Sequence, residues 1–271
     1  MNNTVKGKRL AIPYLIFLVL FVLLPLFVIV YYGFTDDAGN IAIDNILDFF
    51  TSKKTLGTLF YSFVIAVLTT VICLVIAYPT AYILSKAKLG RKTSMIMLFV
   101  LPMWINFTLR ITALKEILTI IEGNLAYYSF INTIICMVYD FLPFMILPIY
   151  NTLTKLDKSY EEAALDLGAT PLTVIFKVIV PLSLPGIVSG VTMVFLPSMT
   201  NYVVLDMVYN STYIMGSLIG SYFSAYDWHN GSVISLVLLL FICMITYISD
   251  KFTEKDNGAG RGFGELRKGK A

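Results

Sequence analysis

Charge is scarce in this chain: of its 271 residues only 14% are Asp, Glu, Lys or Arg, while 58% are hydrophobic. Soluble domains carry about 25% charged residues, so an ordinary soluble domain is excluded, and a mean hydropathy of +0.80 places the chain among membrane proteins. Histidine is almost missing. The one present, His229, lies in a polar loop without a Cys or second His beside it, which excludes a histidine-based metal centre. Cys73, Cys136 and Cys243 all fall in apolar stretches and read as buried thiols, with no disulfide framework or metal spacing. No H-E-x-x-H, no Ser/His/Asp set and no paired carboxylates with a plausible intramembrane geometry occur, so no catalysis is expected. The tail "GELRKGKA" mimics a phosphate-binding loop, but Ala271 stands where Ser or Thr is required and no strand precedes it, so no nucleotide site is read there. Neither a cofactor nor a metal is expected. The net charge of +3 is small and its basic residues sit between apolar runs, which argues against nucleic acid as a partner.

Long apolar runs are abundant. A membrane-spanning helix needs roughly 20 mostly apolar residues, and spans are expected at about 10–32, 58–84, 93–113, 130–152, 174–205 and 232–249. The predicted fold class is therefore all-α, a polytopic membrane protein of about six transmembrane helices within residues 10–249, surrounded by membrane lipid. The first run is too long for a cleavable signal and no A-x-A-like site follows it, so it reads as a retained anchor. Arg110, Lys115 and Glu116 interrupt the outer end of the third span.

Lys and Arg mark cytoplasmic loops. Lys6, Lys8 and Arg9 precede the first run, Lys86, Lys88, Arg91 and Lys92 follow the second, and six basic residues lie from Lys251 on. The N-terminus (1–9) and the tail (250–271) are thus both expected in the cytoplasm of a cell whose plasma or inner membrane holds the chain. Asp36, Asp37, Asp44 and Asp48 populate the first outward loop. Prolines recur in or beside the apolar runs, notably in the pairs Pro143/Pro148 and Pro181/Pro185. Each removes a backbone donor and kinks a helix, as helices around a pathway require, although proline is common in membrane helices in general.

One polar segment punctuates the apolar sequence: "SYEEAALDLGATP", residues 159–171. Ser159 with Glu162 three residues later forms a capping-box pattern. Tyr160, Ala163, Ala164 and Leu167 follow helical spacing, with Glu161, Glu162 and Asp166 largely off that face. Gly168 is the expected stop, and Thr170-Pro171 supplies a new cap and first turn. The pattern describes a helix, a turn and a second helix leading directly into the fifth span. Such a helix either docks on a soluble partner or lies on the headgroups. Headgroup helices usually carry basic polar faces, and this one is acidic.

These residues resemble the EAA loop of ABC-importer permeases. Glu162-Ala163-Ala164, then Gly168 after three residues, then Val178, Val180 and Pro181 reproduce the E-A-A, G and I-x-L-P spacing of that motif, with Val in place of Ile and Leu. The resemblance implies a type I importer (MetI-like) fold whose loop, here 153–181, forms a coupling helix docking on a cytoplasmic ATPase. Glu161, Glu162, Ala163, Ala164 and Gly168 are the coupling residues it implies. The longer stretch from "YDFLPFMILP" through "VTMVFLPSM", and "LPMWINFTLR" before it, resemble the PotB-type branch that serves spermidine/putrescine importers. That likeness implies a PotA-type ATPase, a second, PotC-type permease and a PotD-type extracytoplasmic binding protein. An ABC importer for another small solute, and an ion-coupled secondary transporter, are the alternatives.

For a polycation the expected pathway residues are Asp140, a costly intramembrane acid, with Trp104 and Tyr202 offering aromatic faces. Equally, Asp140 pairs with Arg110 or a tyrosine and only holds helices together. Asp206 and Asp227 are either solvated loop acids or a docking surface. Gly186 and Gly190, repeated in spacing by Gly216 and Gly220, suggest close helix packing, with the second permease as the expected neighbour.

Overall fold

The structure, a computed structural model, describes residues 12–36, 38–42, 44–87, 89–208 and 211–268. The N-terminal basic cluster lies outside them, as do Lys88 and the side chains of 91, 92 and most of the tail. The described residues are helical apart from loops and one isolated bridge, Thr35 to Ile41.

Among the described residues, four helices are long and apolar enough to cross a bilayer: α1 (Ile12–Gly33), α3 (Lys53–Lys86), α6 (Ser129–Leu153) and the Trp228–Ile248 part of α12 (Trp228–Lys268). Two further spans are bent pairs, giving six if each pair counts once. One is α4 (Leu89–Trp104) with α5 (Phe107–Glu122), bent by 96°, and the other is α8 (Pro171–Leu182) with α9 (Leu184–Thr200), bent by 69°. The expected third span, 93–113, is thus not one straight helix. Asn106 leaves helical geometry and its side chain accepts the Thr108 N–H at 2.9 Å, starting a second helix inside the apolar run. Shorter helices are α2 (Asp44–Thr51), α7 (Ser159–Asp166), α10 (Tyr202–Met207) and α11 (Met215–Ser224).

The break between α8 and α9 follows from proline chemistry. Pro185 has no N–H to return to the preceding turn, α8 contains a π-helical turn at Ile175–Ile179, and the chain turns at Ser183 with φ −93° and ψ 4°. Ser183 is fully buried and closes the broken turn itself, its hydroxyl donating to the Val180 carbonyl at 3.1 Å.

The chain divides into two compact units. In the first, α1 packs with the start of α12: a Cβ at Gly33 would lie 2.6 Å from the Leu236 side chain, and His229 Nδ1 is 2.9 Å from the Tyr32 carbonyl. His229 is therefore a packing residue. Asp36 caps its own turn, and the Asn40 backbone N–H foremost holds its carboxyl below the usual range. Asp227 receives the Asn230 N–H at 3.1 Å, which makes it a helix cap.

The second unit, Phe60–Ile214 with the far part of α12, has its core where α3, α5, α6 and α9 meet, around Ile65, Cys73, Ala77, Ile111, Met137, Met145, Ile149 and Val194. Helix α6 packs extensively along α9. Cys73 and Cys136 are buried, but Cys243 is exposed, contrary to expectation, because it lies on an outer face of a membrane-crossing helix where an apolar side chain meets lipid.

Candidate functional site

The polar segment forms the helix–turn–helix that its sequence indicates, with different details at its start. Helix α7 begins at Ser159, but Ser159 is not its cap. The Asp157 carboxylate accepts the Ser159 N–H at 3.0 Å and the Lys158 carbonyl accepts Glu162 N–H at 3.0 Å. The capping box between Ser159 and Glu162 is absent because Lys158 is already helical, φ −62° and ψ −23°, leaving the cap role to the acid before it.

The end of α7 is fixed by backbone bonds. Gly168 has φ +82°, and the Ala169 N–H reaches the Ala164 carbonyl at 3.1 Å while the Gly168 N–H reaches Leu165 at 2.9 Å. This is a Schellman stop, which needs a residue free to adopt the left-handed conformation. Thr170 then caps α8, its hydroxyl accepting the Thr173 N–H at 3.4 Å, with Pro171 in the first turn.

The face turned inward differs from the expected one. Ala164 and Ala169 pack against the core, whereas Tyr160, Ala163, Glu162 and Gly168 are exposed and Leu167 is 89% exposed. Glu161, expected off the packed face, turns inward to an ion pair with Lys86 at the end of α3 and accepts from the Tyr82 hydroxyl at 3.4 Å. The short helix has eight residues, about two turns, in which to choose a face, and the Ala164 contact together with Lys86 decides it. Helix α3 has 34 residues, roughly 50 Å at 1.5 Å per residue against about 30 Å of hydrocarbon. One or both ends of α3 therefore stand outside the bilayer core, and the turn packs at the Lys86 end. Both charged side chains are partly exposed, 38% and 24%, so the pair contributes on the order of 1 kcal/mol or less. Its interest is positional. Sequence reading missed Lys86 and Tyr82; their spacing of four on α3 puts them on one face, but nothing local named the partner.

The candidate pathway residues do not form one site. Asp140 is buried in the middle of α6 and its carboxylate lies 2.5 Å from Arg110 Nη2 of α5, itself buried. The ion pair holds α5 to α6. Trp104, at the end of α4, is 79% exposed, and Tyr202, at the start of α10, is 43% exposed. Helix α10 packs on both α5 and α6, the two helices that the ion pair joins.

Gly186 and Gly190 are consumed inside the chain. A Cβ on Gly186 would lie 2.5 Å from Thr152 Oγ1 and 2.9 Å from the Pro148 carbonyl, and one on Gly190 would lie 2.7 Å from Met145 Sδ. The pair lets α9 close on α6 of the same chain. Among the described residues, no group of three His, Cys, Asp or Glu side chains is placed to hold a metal ion.

Comparison with known proteins bears on the whole chain. The family model described as binding-protein-dependent transport system inner membrane component matches residues 3–255. The spermidine/putrescine transport system permease protein PotB of Salmonella typhimurium is 32% identical over 270 residues, 92% of this chain and 94% of the relative. That of Haemophilus influenzae is 33% identical over 271 residues, with the same coverage. Among solved structures, a bacterial alginate ABC transporter in complex with a pentasaccharide-bound periplasmic protein matches with TM-score 0.71 at 13% identity, covering 92% of this chain and 95% of the matched one. The inward-facing MetNI methionine ABC transporter matches with TM-score 0.57 at 18% identity, covering 74% of this chain and 95% of the matched one. At such identities the structures speak for the fold alone.

Proposed function

The chain belongs to the family of binding-protein-dependent transport system inner membrane components, and we propose that it is the polyamine-pathway permease of an importer for spermidine or putrescine. The observation that carries the cargo is identity of 32–33% to PotB permeases along 92% of this chain. Permeases of this family work with an ATPase, a second permease and a binding protein; PotA-, PotC- and PotD-type partners are the ones proposed here. The cytoplasmic side is the one that bears α7, so both termini lie there too.

Helix α7 is the coupling helix in this reading. Its exposed Glu162, Ala163 and Gly168 meet the ATPase, and the Schellman stop and Thr170 cap make the connection to α8 stiff. Displacement of α7 is then passed through α8 and the bend at Ser183 to α9, which is packed on α6 through Gly186 and Gly190. ATP hydrolysis by the partner thereby reshapes the spans that bound the pathway.

The decisive experiment is ATP-dependent uptake of labelled spermidine and putrescine into vesicles holding this chain with its ATPase, second permease and binding protein, with each omitted in turn. Uptake that needs all four supports the reading. ATP hydrolysis that responds to this chain without polyamine uptake discards the cargo. A second test addresses the loop: Gly168→Val forces a β-branched residue into φ +82°, costing about 1–2 kcal/mol, and Glu162→Ala removes an exposed acid. Both variants are expected to insert normally and lose most uptake. Wild-type uptake by both would remove α7 from the coupling role.

A further inference from the structure

Three side chains of α3 at a spacing of four share one face: Tyr78, Tyr82 and Lys86. Lys86 and Tyr82 hold Glu161 of α7, with the Lys86 ammonium 5.5 Å from the Tyr82 ring centre. Tyr78 reaches the other end of the same moving part, its hydroxyl 3.0 Å from Ser183 Oγ at the α8–α9 bend. Either hydroxyl can be the donor of that bond; with the Ser183 proton donated to the Val180 carbonyl, Tyr78 donates to Ser183.

We propose that Tyr78, Tyr82 and Lys86 are positioning residues of the coupling step: they clamp the second span to the α7–α8 unit at both its ends, so that α3 moves as one body with the coupling helix. This rests on the coupling reading above and extends it. Toward the C-terminus the covalent route from α7 leads into α8 and α9, through a π-helical turn and a 69° bend; in the other direction it leads through residues 154–158 into α6, and neither route reaches α3. A displacement delivered through such a joint alone is absorbed by the bend. The stripe bypasses it. Glu161 is gripped before the π turn and Ser183 after it, both by one helix, which fixes the length of α8 between two points and recruits α3 directly.

The geometry separates the role from ordinary stability. The Lys86 pair is partly exposed and contributes little to folding, and the Tyr78 bond can be removed by deleting one oxygen. A groove beside the stripe is lined by Tyr82, Ser85, Lys86, Leu156, Asp157 and Glu161, so the contacts can be altered without repacking a core.

The test uses the reconstituted four-subunit complex carrying Tyr78→Phe, Lys86→Gln, both together, and the swap Lys86→Glu with Glu161→Lys. ATP hydrolysis and spermidine uptake are measured on the same vesicles. Each contact removed is expected to lower uptake per ATP hydrolysed by about fivefold, the lower end of usual coupling free energies, with hydrolysis and complex yield unchanged. The swap is expected to restore most of what Lys86→Gln loses. A double variant with the wild-type ratio, a swap no better than the single change, or a parallel loss of hydrolysis and uptake would each overturn the clamp. If the wild-type complex hydrolyses ATP yet moves no polyamine, the cargo assignment alone fails. The clamp is then read from spin labels on the exposed Ile83 of α3 and Leu165 of α7, whose separation must stay fixed through ATP hydrolysis in the otherwise unaltered complex and vary in the double variant; a separation that varies equally in both would overturn it.

Discussion

Arg110→Leu is expected to remove nearly all folded protein from the membrane, while Arg110→Leu combined with Asp140→Leu is expected to restore much of it. The single change leaves the Asp140 carboxylate, 3% exposed in the middle of α6, without its cation. Breaking a buried pair by removing one partner costs about 3–5 kcal/mol, a large part of the whole stability of a domain. The double change removes both charges together. It also removes two N–H groups, Arg110 Nε and Nη1, which are buried without a hydrogen-bond partner, and such groups carry a desolvation penalty of about 1–3 kcal/mol. Replacement of the pair by apolar side chains therefore falls near neutral. The check is the yield of monodisperse detergent-solubilised protein and its thermal midpoint for wild type, both single variants and the double. A double variant as unstable as either single one would show that the pair's geometry, and not its charge, holds α5 to α6.

The same pair marks the boundary of what sequence could deliver. Both residues stand out as charges inside apolar runs, and their pairing was one of two open readings; the choice between them needed α5 and α6 side by side. Features set by local backbone chemistry were fully legible. Gly168 is left-handed and Thr170 caps because those preferences reside in one residue and its near neighbours. Features set by competition were not. Ser159 looked like a cap until Asp157, two residues earlier, took the role. Asn106 restarts a helix within an apolar run, and the polar residues that interrupt that run do not report the 96° bend. Glu161 faces inward because Lys86, 75 residues away in sequence, supplies the charge, and no periodicity within an eight-residue helix reports a partner elsewhere.

Glycine spacing shows the same limit and yields the sharpest contrast for experiment. Gly186/Gly190 and Gly216/Gly220 carry one motif, yet within this chain their surroundings are opposite. At Gly186 an added Cβ meets Thr152 Oγ1 at 2.5 Å and the Pro148 carbonyl at 2.9 Å, and the carbonyl belongs to a helix backbone that cannot step aside. At Gly220 nothing lies within 4 Å. Gly186→Leu and Gly190→Leu are each expected to force α9 off α6 at about 3 kcal/mol or more, the upper end of overpacking costs, because the extensive contact between the two helices must part along its length. Gly220→Ala is expected to raise the thermal midpoint slightly, since glycine inside a helix costs about 1 kcal/mol relative to alanine. Thermal unfolding of the purified chain reads all three. If Gly186→Leu melts like wild type, the α6–α9 seam is not closed as described. If Gly220→Ala is stable alone but fails to recover its second permease on purification, then this glycine, open in the isolated chain, is the one on which the partner closes.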